Sequence, residues 1–253
     1  MSRQALRQRG KDIASRLGLD ATPSPVPGLD DLIAELVHGG IWGRPNLALV
    51  DRAICSLAGL SVLQRLAPLK TMVATALGLG LTPRSVAEVL VQVGLYAGFA
   101  TTETSVAVAQ EVFLARGLTL PPEPVRTEMD ETLDAKGREI MAHLHGERAQ
   151  DGYADPANPI TGELYPVAIR YGYGELWSRP GLDRRQRMLC ALAAFTVMGL
   201  QSQLGKFAKS ALNVGLAREE VIEAVIQTAP YGGFPRALNG LAILSDVFQG
   251  TPS

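Results

Sequence analysis

Four residue types recur at steps of four, four and three: Glu88, Gln92, Tyr96 and Phe99, and again Glu223, Gln227, Tyr231 and Phe234. On a helix these steps hold the four side chains within about 80° of one another. A polar row on an otherwise apolar helix is costly to bury without partners. Two arrangements meet that cost. The row joins a hydrogen-bond network with a neighbouring element, or it lines a wet cleft in which Glu223 serves as base and Tyr231 as acid. Arg52 and Arg187 lie in long apolar segments, one turn before Cys55 and Cys190. An arginine on a core-facing side demands a carboxylate, and the repeated glutamate of the row is the expected partner; binding of an anionic substrate is the alternative. Trp42 and Trp177 precede Arg-Pro turns, as core caps or as the aromatic wall of a pocket. His143 and His145 close one helix. Spaced by two, they point to different faces and are expected in solvent, with an acid–base role near neutral pH as the other reading, for which His145 is the candidate.

The elements that position these residues come in two copies. Residues 32–114 align with 167–249 without a gap, and 24 of the 83 pairs are identical, including Trp42/Trp177, Arg44/Arg179, Arg52/Arg187, Cys55/Cys190 and Gly80/Gly215. His38 aligns with Tyr173. A preceding helix, read at residues 6–17, repeats at 133–144, with Gly10/Gly137, Ile13/Ile140 and Leu17/Leu144 in register. The units are therefore 1–118 and 128–250, joined at the proline-rich stretch 117–128, with a connector at 21–28 in the first and a longer, turn-rich insert at 149–163 in the second. Inside each core the apolar period predicts helices at 29–39, 47–64, 66–79 and 82–97, the last continuing after a break as 100–116. The second copy repeats them at 164–174, 182–201, 202–214 and from 218, broken near Pro230 and resumed at Pro235. No alternating apolar run reads as a strand. The fold class is all-α, a tandem duplication of one helical domain.

Composition narrows the partners. The 253 residues are 47% hydrophobic and 19% charged, with a net charge of −1, which suits a globular core and gives no reason to expect nucleic acid. Arginine outnumbers lysine 19 to 5, read as genome composition rather than a phosphate-binding patch. The longest apolar run, 188–200, is 13 residues, too short to span a bilayer. The charged N-terminus MSRQALRQRGK is unlike a secretory signal, so a cytoplasmic location is expected, with both cysteines buried and unpaired. Three histidines without helical i, i+4 pairing and two isolated cysteines build no metal site. There is no Walker loop and no GxGxxG. No metal and no cofactor are expected.

The wording of the second copy is specific. The turn GELWSRPGLD, the ALNVGL cap, the helix EEVIEAVIQTAPYGGFP and the ending at Val247 and Phe248 resemble the carboxymuconolactone decarboxylase family; GIWGRPNL, ALGLGLTP and the Glu88–Phe99 row match it more loosely. The resemblance implies a helical domain of the alkylhydroperoxidase-like fold that assembles through its helices, with sites in clefts where subunits or repeats meet. It implies a histidine on the third core helix of the decarboxylases, where this chain has Phe207 and Met72. It implies a Cys-x-x-Cys in the peroxidase branch, where this chain has Leu200 and Gln203, or Arg65 and Pro68, and a relay glutamate at Met188 or Ala53. Thiol peroxidase chemistry is therefore not expected.

What remains is a pocket with Trp177, Arg187, Phe207, Gln227, Phe234 and Trp42 as substrate-binding candidates and Glu223, Tyr231 and His145 as catalytic ones. Phe in place of His suits a larger, greasier small-molecule ligand. The expected activity is cofactor-independent acid–base chemistry on a hydrophobic oxygenated metabolite: cyclisation, lactone or ether rearrangement, elimination or decarboxylation, in biosynthesis. A non-catalytic binding or assembly protein is the alternative, and a decarboxylase-type lyase of aromatic degradation a further one. One working pocket is expected, built mainly by the second copy and walled by the first, in a homodimer or homotrimer.

Overall fold

The computed structural model describes residues 2–19, 23–124, 126–150 and 158–249. Parts of the expected connector (21–22), of the junction (125) and of the second insert (151–157) lie outside the described residues, as do 1, 20 and 250–253. Among the described residues the chain is helical, without strands. The first copy comprises α1 (Arg3–Arg16), α2 (Leu29–Ile33) widening into a π-helical stretch Ala34–Trp42, α3 (Leu49–Val62), α4 (Leu66–Gly78), α5 (Pro83–Ala97) and α6 (Phe99–Ala115). The second comprises α7 (Asp130–His145), α8 (Leu164–Val167) widening into π-helical Ala168–Glu175, α9 (Arg184–Met198), α10 (Gln201–Asn213), α11 (Arg218–Gln227), α12 (Ala229–Gly232) and α13 (Phe234–Gln249).

Local chemistry sets these boundaries. Thr82 caps α5, its hydroxyl accepting from the Ser85 amide at 3.0 Å with Pro83 behind it. Asp183 and Gln186 form a reciprocal capping box at the start of α9. Gly80 and Gly215 follow α4 and α10 with φ of 99° and 83°, a region that disfavours any side chain. Pro230 divides the second polar-row helix into α11 and α12, whereas α5 runs unbroken. A departure from an ordinary helical reading is the π-helical stretch that ends at Trp42 in the first copy and just before Trp177 in the second, which a 3.6-residue period does not announce.

Two glycines per copy clamp the first helix to that widened stretch. A Cβ on Gly10 would lie 1.9 Å from the Ala34 carbonyl oxygen, and one on Gly39 2.3 Å from that of Leu6. In the second copy a Cβ on Gly137 would lie 2.4 Å from the Ile169 carbonyl oxygen, and one on Gly174 2.3 Å from that of Leu133. The molecular centre is the pair α3 and α9, packed together with residues 53–60 and 188–195 buried. Each also packs against the polar-row helix of the other copy, α3 against α11 and α12, and α9 against α5. Cys55 and Cys190 lie buried and free on this pair, where burial pushes both thiols up, Cys190 to about 12. No helix of the described residues is long and apolar enough to cross a membrane.

The Gly137→Ala variant must push backbone away from backbone, an overpacking cost of about 2 kcal/mol, and is expected to lower Tm by roughly 5 °C. Gly78→Ala, whose Cβ meets nothing within 4 Å, is the control expected to leave Tm unchanged or slightly raised. Thermal denaturation followed by circular dichroism compares the two.

Candidate functional site

The polar rows are exchanged between copies. Arg52, fully buried, donates to Gln227 Oε1 at 3.1 Å, to Glu223 Oε2 at 2.9 Å and to the Arg44 and Pro45 carbonyls at 3.0 Å. Arg44 clasps the same carboxylate through Nε and Nη2 at 2.8–3.0 Å. Gln227 passes the chain on to Ser56 at 3.1 Å. The mirror image is Arg187, also fully buried, donating to Gln92 Oε1 at 2.8 Å, Glu88 Oε2 at 3.1 Å and the Arg179 carbonyl at 2.6 Å. Arg179 closes on Glu88 at 2.9–3.1 Å. The expected arginine–glutamate pairing is present, with partners from opposite copies.

This exchange corrects the sequence grouping. Glu223, Gln227 and Tyr231 stand with Trp42, Arg44 and Arg52 of the first copy. Trp177, Arg187 and Phe207 stand instead with Glu88, Gln92 and Tyr96. Both oxygens of Glu223 are taken by two guanidiniums, so it is an interface anion with no free lone pair aimed at a ligand. Tyr231 accepts from Trp42 Nε1 at 2.9 Å, and burial pushes its phenol up to about 12. It keeps its proton and stands in a different grouping from Trp177, Arg187, Phe207 and His145. Arg187 and Gln227 are likewise committed to the interface. Phe234 opens α13 at the surface, 42% exposed, and walls no pocket with Trp177.

His145 is the residue whose surroundings differ most from expectation. It does not face solvent as exposed His143 does. It sits half-buried at the end of α7, edge-on to Phe207 with ring centroids 5.1 Å apart and to Tyr173 at 5.5 Å. Phe207 packs on Phe195 at 4.9 Å, on Tyr96 at 6.4 Å and on Trp177 at 6.5 Å, and Trp177 stacks on Tyr173 at 6.3 Å. Trp177 Nε1 lacks a hydrogen bond of standard geometry, although the indole lies close enough to the Tyr96 hydroxyl to act on its ionisation. The result is an aromatic wall contributed by the second copy and closed by Tyr96 of the first.

Hydrogen bonding fixes the imidazole. Ser210 Oγ donates to the Lys206 carbonyl at 3.2 Å and accepts from Arg148 at 2.8 Å. Its one proton is so used, and it accepts from His145 Nδ1–H at 2.7 Å. Nε2 keeps its lone pair and accepts from the Tyr173 hydroxyl at 2.9 Å. Burial, then the positive charges of Arg148 and Lys206, hold His145 down at about 4. A neutral base hydrogen-bonded to a phenol, rimmed by two cations and walled by rings, can move a proton on an anionic apolar ligand. Tyr173, Ser210, Arg148 and Phe195 did not stand out in the sequence as site residues, and Tyr96 stood out only as a member of the polar row; the spacings of Lys206, Phe207 and Ser210 on one helix are the signal that could have found part of the site. Trp177 also borders a cleft of about 430 Å³ that takes in Lys136, Ile140, Arg179 and Arg184.

Comparison with known proteins gives a consistent picture. The sequence model of the carboxymuconolactone decarboxylase family matches residues 27–111 and again 162–246. The 4-carboxymuconolactone decarboxylase of Acinetobacter baylyi is 26% identical over 120 residues, 47% of this chain and 90% of that protein. A nitrosuccinic acid decarboxylase of Metarhizium robertsii is 28% identical over 116 residues, 46% of this chain and 81% of that one. A crystal structure assigned as a gamma-carboxymuconolactone decarboxylase subunit of Burkholderia xenovorans superposes with a TM-score of 0.57 at 20% identity over 99% of both chains, a likeness of fold.

Glu223→Gln leaves buried Arg52 without its counter-charge and is expected to cost about 3–5 kcal/mol in urea unfolding; Arg52→Met combined with Glu223→Met should recover much of that loss. His145 binds protons more weakly folded, at about 4, than its ordinary value of 6.5. The unfolded chain therefore holds more protons between these values, and stability rises with pH across that window. His38, also pushed down by burial, acts in the same direction. His145→Asn should reduce, without abolishing, the slope of stability between pH 4 and 6.5.

Proposed function

Because the chain belongs to the carboxymuconolactone decarboxylase family, we propose that it is a cofactor-independent lyase that removes carbon dioxide from a hydrophobic, oxygenated carboxylic acid at the His145 site. The observation that carries this reading is the position of His145. The family's histidine falls at Phe207 in this chain, and His145 brings an imidazole from another helix to 5.1 Å from that ring. The two relatives named as decarboxylases support the reaction type.

The chemistry follows from the surroundings. Arg148 and Lys206 form a cationic edge that draws in a carboxylate. The ring wall then strips water from it, favouring the charge-dispersed transition state of carbon–carbon cleavage. The bond to the carboxylate carbon breaks, its electron pair moves onto an adjacent carbonyl or lactone group, and carbon dioxide leaves. The resulting enolate takes the phenolic proton of Tyr173, whose hydroxyl His145 Nε2 holds in place, and solvent returns that proton to the tyrosinate. The same reading takes the chain to be a cytoplasmic homodimer or homotrimer, with exposed apolar residues such as Leu238 on α13 at the contacts. Light scattering that shows only monomer would contradict that assembly.

Carbon dioxide release from a panel of lactone and β-oxo acids tests the activity. His145→Asn and Tyr173→Phe should each lower kcat by about 10²-fold or more while circular dichroism stays native. Full turnover in both variants would sink the assignment.

A further inference from the structure

The groove between the first helix and the third core helix is filled in one copy and open in the other. In the second copy His145 spans it to Ser210, and Asn213 donates across it to the Leu144 carbonyl at 2.9 Å. The alignment of the copies puts Gly18 at the place of His145, Thr75 at that of Ser210 and Gly78 at that of Asn213. Both bridging side chains are therefore missing from the first copy. A Cβ built on Gly18 or Gly78 meets nothing within 4 Å, and a cleft of about 220 Å³ remains.

The lining of that cleft is polar and positive. Arg16 enters from the end of α1 and Arg116 from just beyond α6, with the hydroxyls of Ser15, Thr71 and Thr75 between them. Most arginines of this chain are in ion pairs: Arg44, Arg52, Arg170, Arg179, Arg185 and Arg187 are examples. Among the described residues no carboxylate lies within ion-pair distance of Arg16 or Arg116. Two like charges bordering one small concavity repel unless an anion sits between them. Guanidiniums and hydroxyls together match the acceptor oxygens of a carboxylate or phosphate.

We propose that the first copy binds a small oxyanion, a metabolite carboxylate or inorganic phosphate, in the cleft bordered by Arg16, Arg116 and Thr71. The site is separate from the His145 site and does not depend on the decarboxylase reading. It reuses a position that the duplication left empty. Arg16 and Arg116 supply charge, Ser15 and Thr71 supply neutral donors, and Gly18 and Gly78 supply the space.

The test is titration of the full chain with sodium phosphate and, separately, with succinate at low ionic strength, read by amide chemical shifts. Saturable shifts at Gly18, Thr75 and Gly78 are expected with at least one of the probes, and which probe binds more tightly identifies the anion class. Arg16→Gln combined with Arg116→Gln should weaken binding at least tenfold, while Arg65→Gln, an exposed arginine outside the cleft, should not. Gly78→Asn restores the side chain of the second copy without altering charge and should also abolish binding. Failure of both probes to give saturable shifts overturns the proposal. So does undiminished binding in either the double-arginine variant or Gly78→Asn.

Discussion

A buried guanidinium that its own repeat cannot neutralise is the constraint on which this molecule rests. Arg52 and Arg187 are fully enclosed in the central helix pair, and each meets its glutamate and glutamine only across the interface. An uncompensated charge in that position is strongly destabilising. The two copies are thus bound as one core, although each looks like a self-sufficient domain in sequence. Duplication kept the pairs because neither partner can change alone.

The same exchange shapes the site. By carrying α5 onto α9, it brings Tyr96 to the rings of the second copy; by carrying α11 and α12 onto α3, it commits Tyr231 to Trp42. The two ends then diverged. Where the second copy has His145, Tyr173, Phe195 and Phe207, the first has Gly18, His38, Leu60 and Met72. One end holds a neutral imidazole inside an aromatic wall. The other has glycine at that place and an open groove edged by arginine. A symmetric scaffold therefore carries asymmetric chemistry.

Much of this was legible from residue order. The gapless internal match gave the tandem all-α fold, the glycine and proline punctuation gave most helix ends, and the arginine–glutamate pairing followed from the cost of burying either charge. What the sequence concealed was which copy supplies each partner. Glu88 and Glu223 are identical in type and spacing, so no local signal tells a helix that packs at home from one that packs across. The inward turn of His145 is hidden for a related reason. Two histidines at the end of a charged helix read as solvated, and only the approach of α10, with Ser210 and Phe207, turns one of them inward. The widening of the helix before Trp177, which positions Tyr173, breaks the 3.6-residue period on which sequence reading depends.

These contacts make His145 a neutral base locked as its Nδ1–H tautomer between Ser210 and Tyr173. With three histidines in the chain, nitrogen-15 NMR of the imidazoles can follow each one through a pH titration. His145 is expected to show a protonated Nδ1 and an unprotonated Nε2 at neutral pH and to titrate near 4. A His145 signal that averages both tautomers and titrates near the ordinary value of about 6.5 would contradict this.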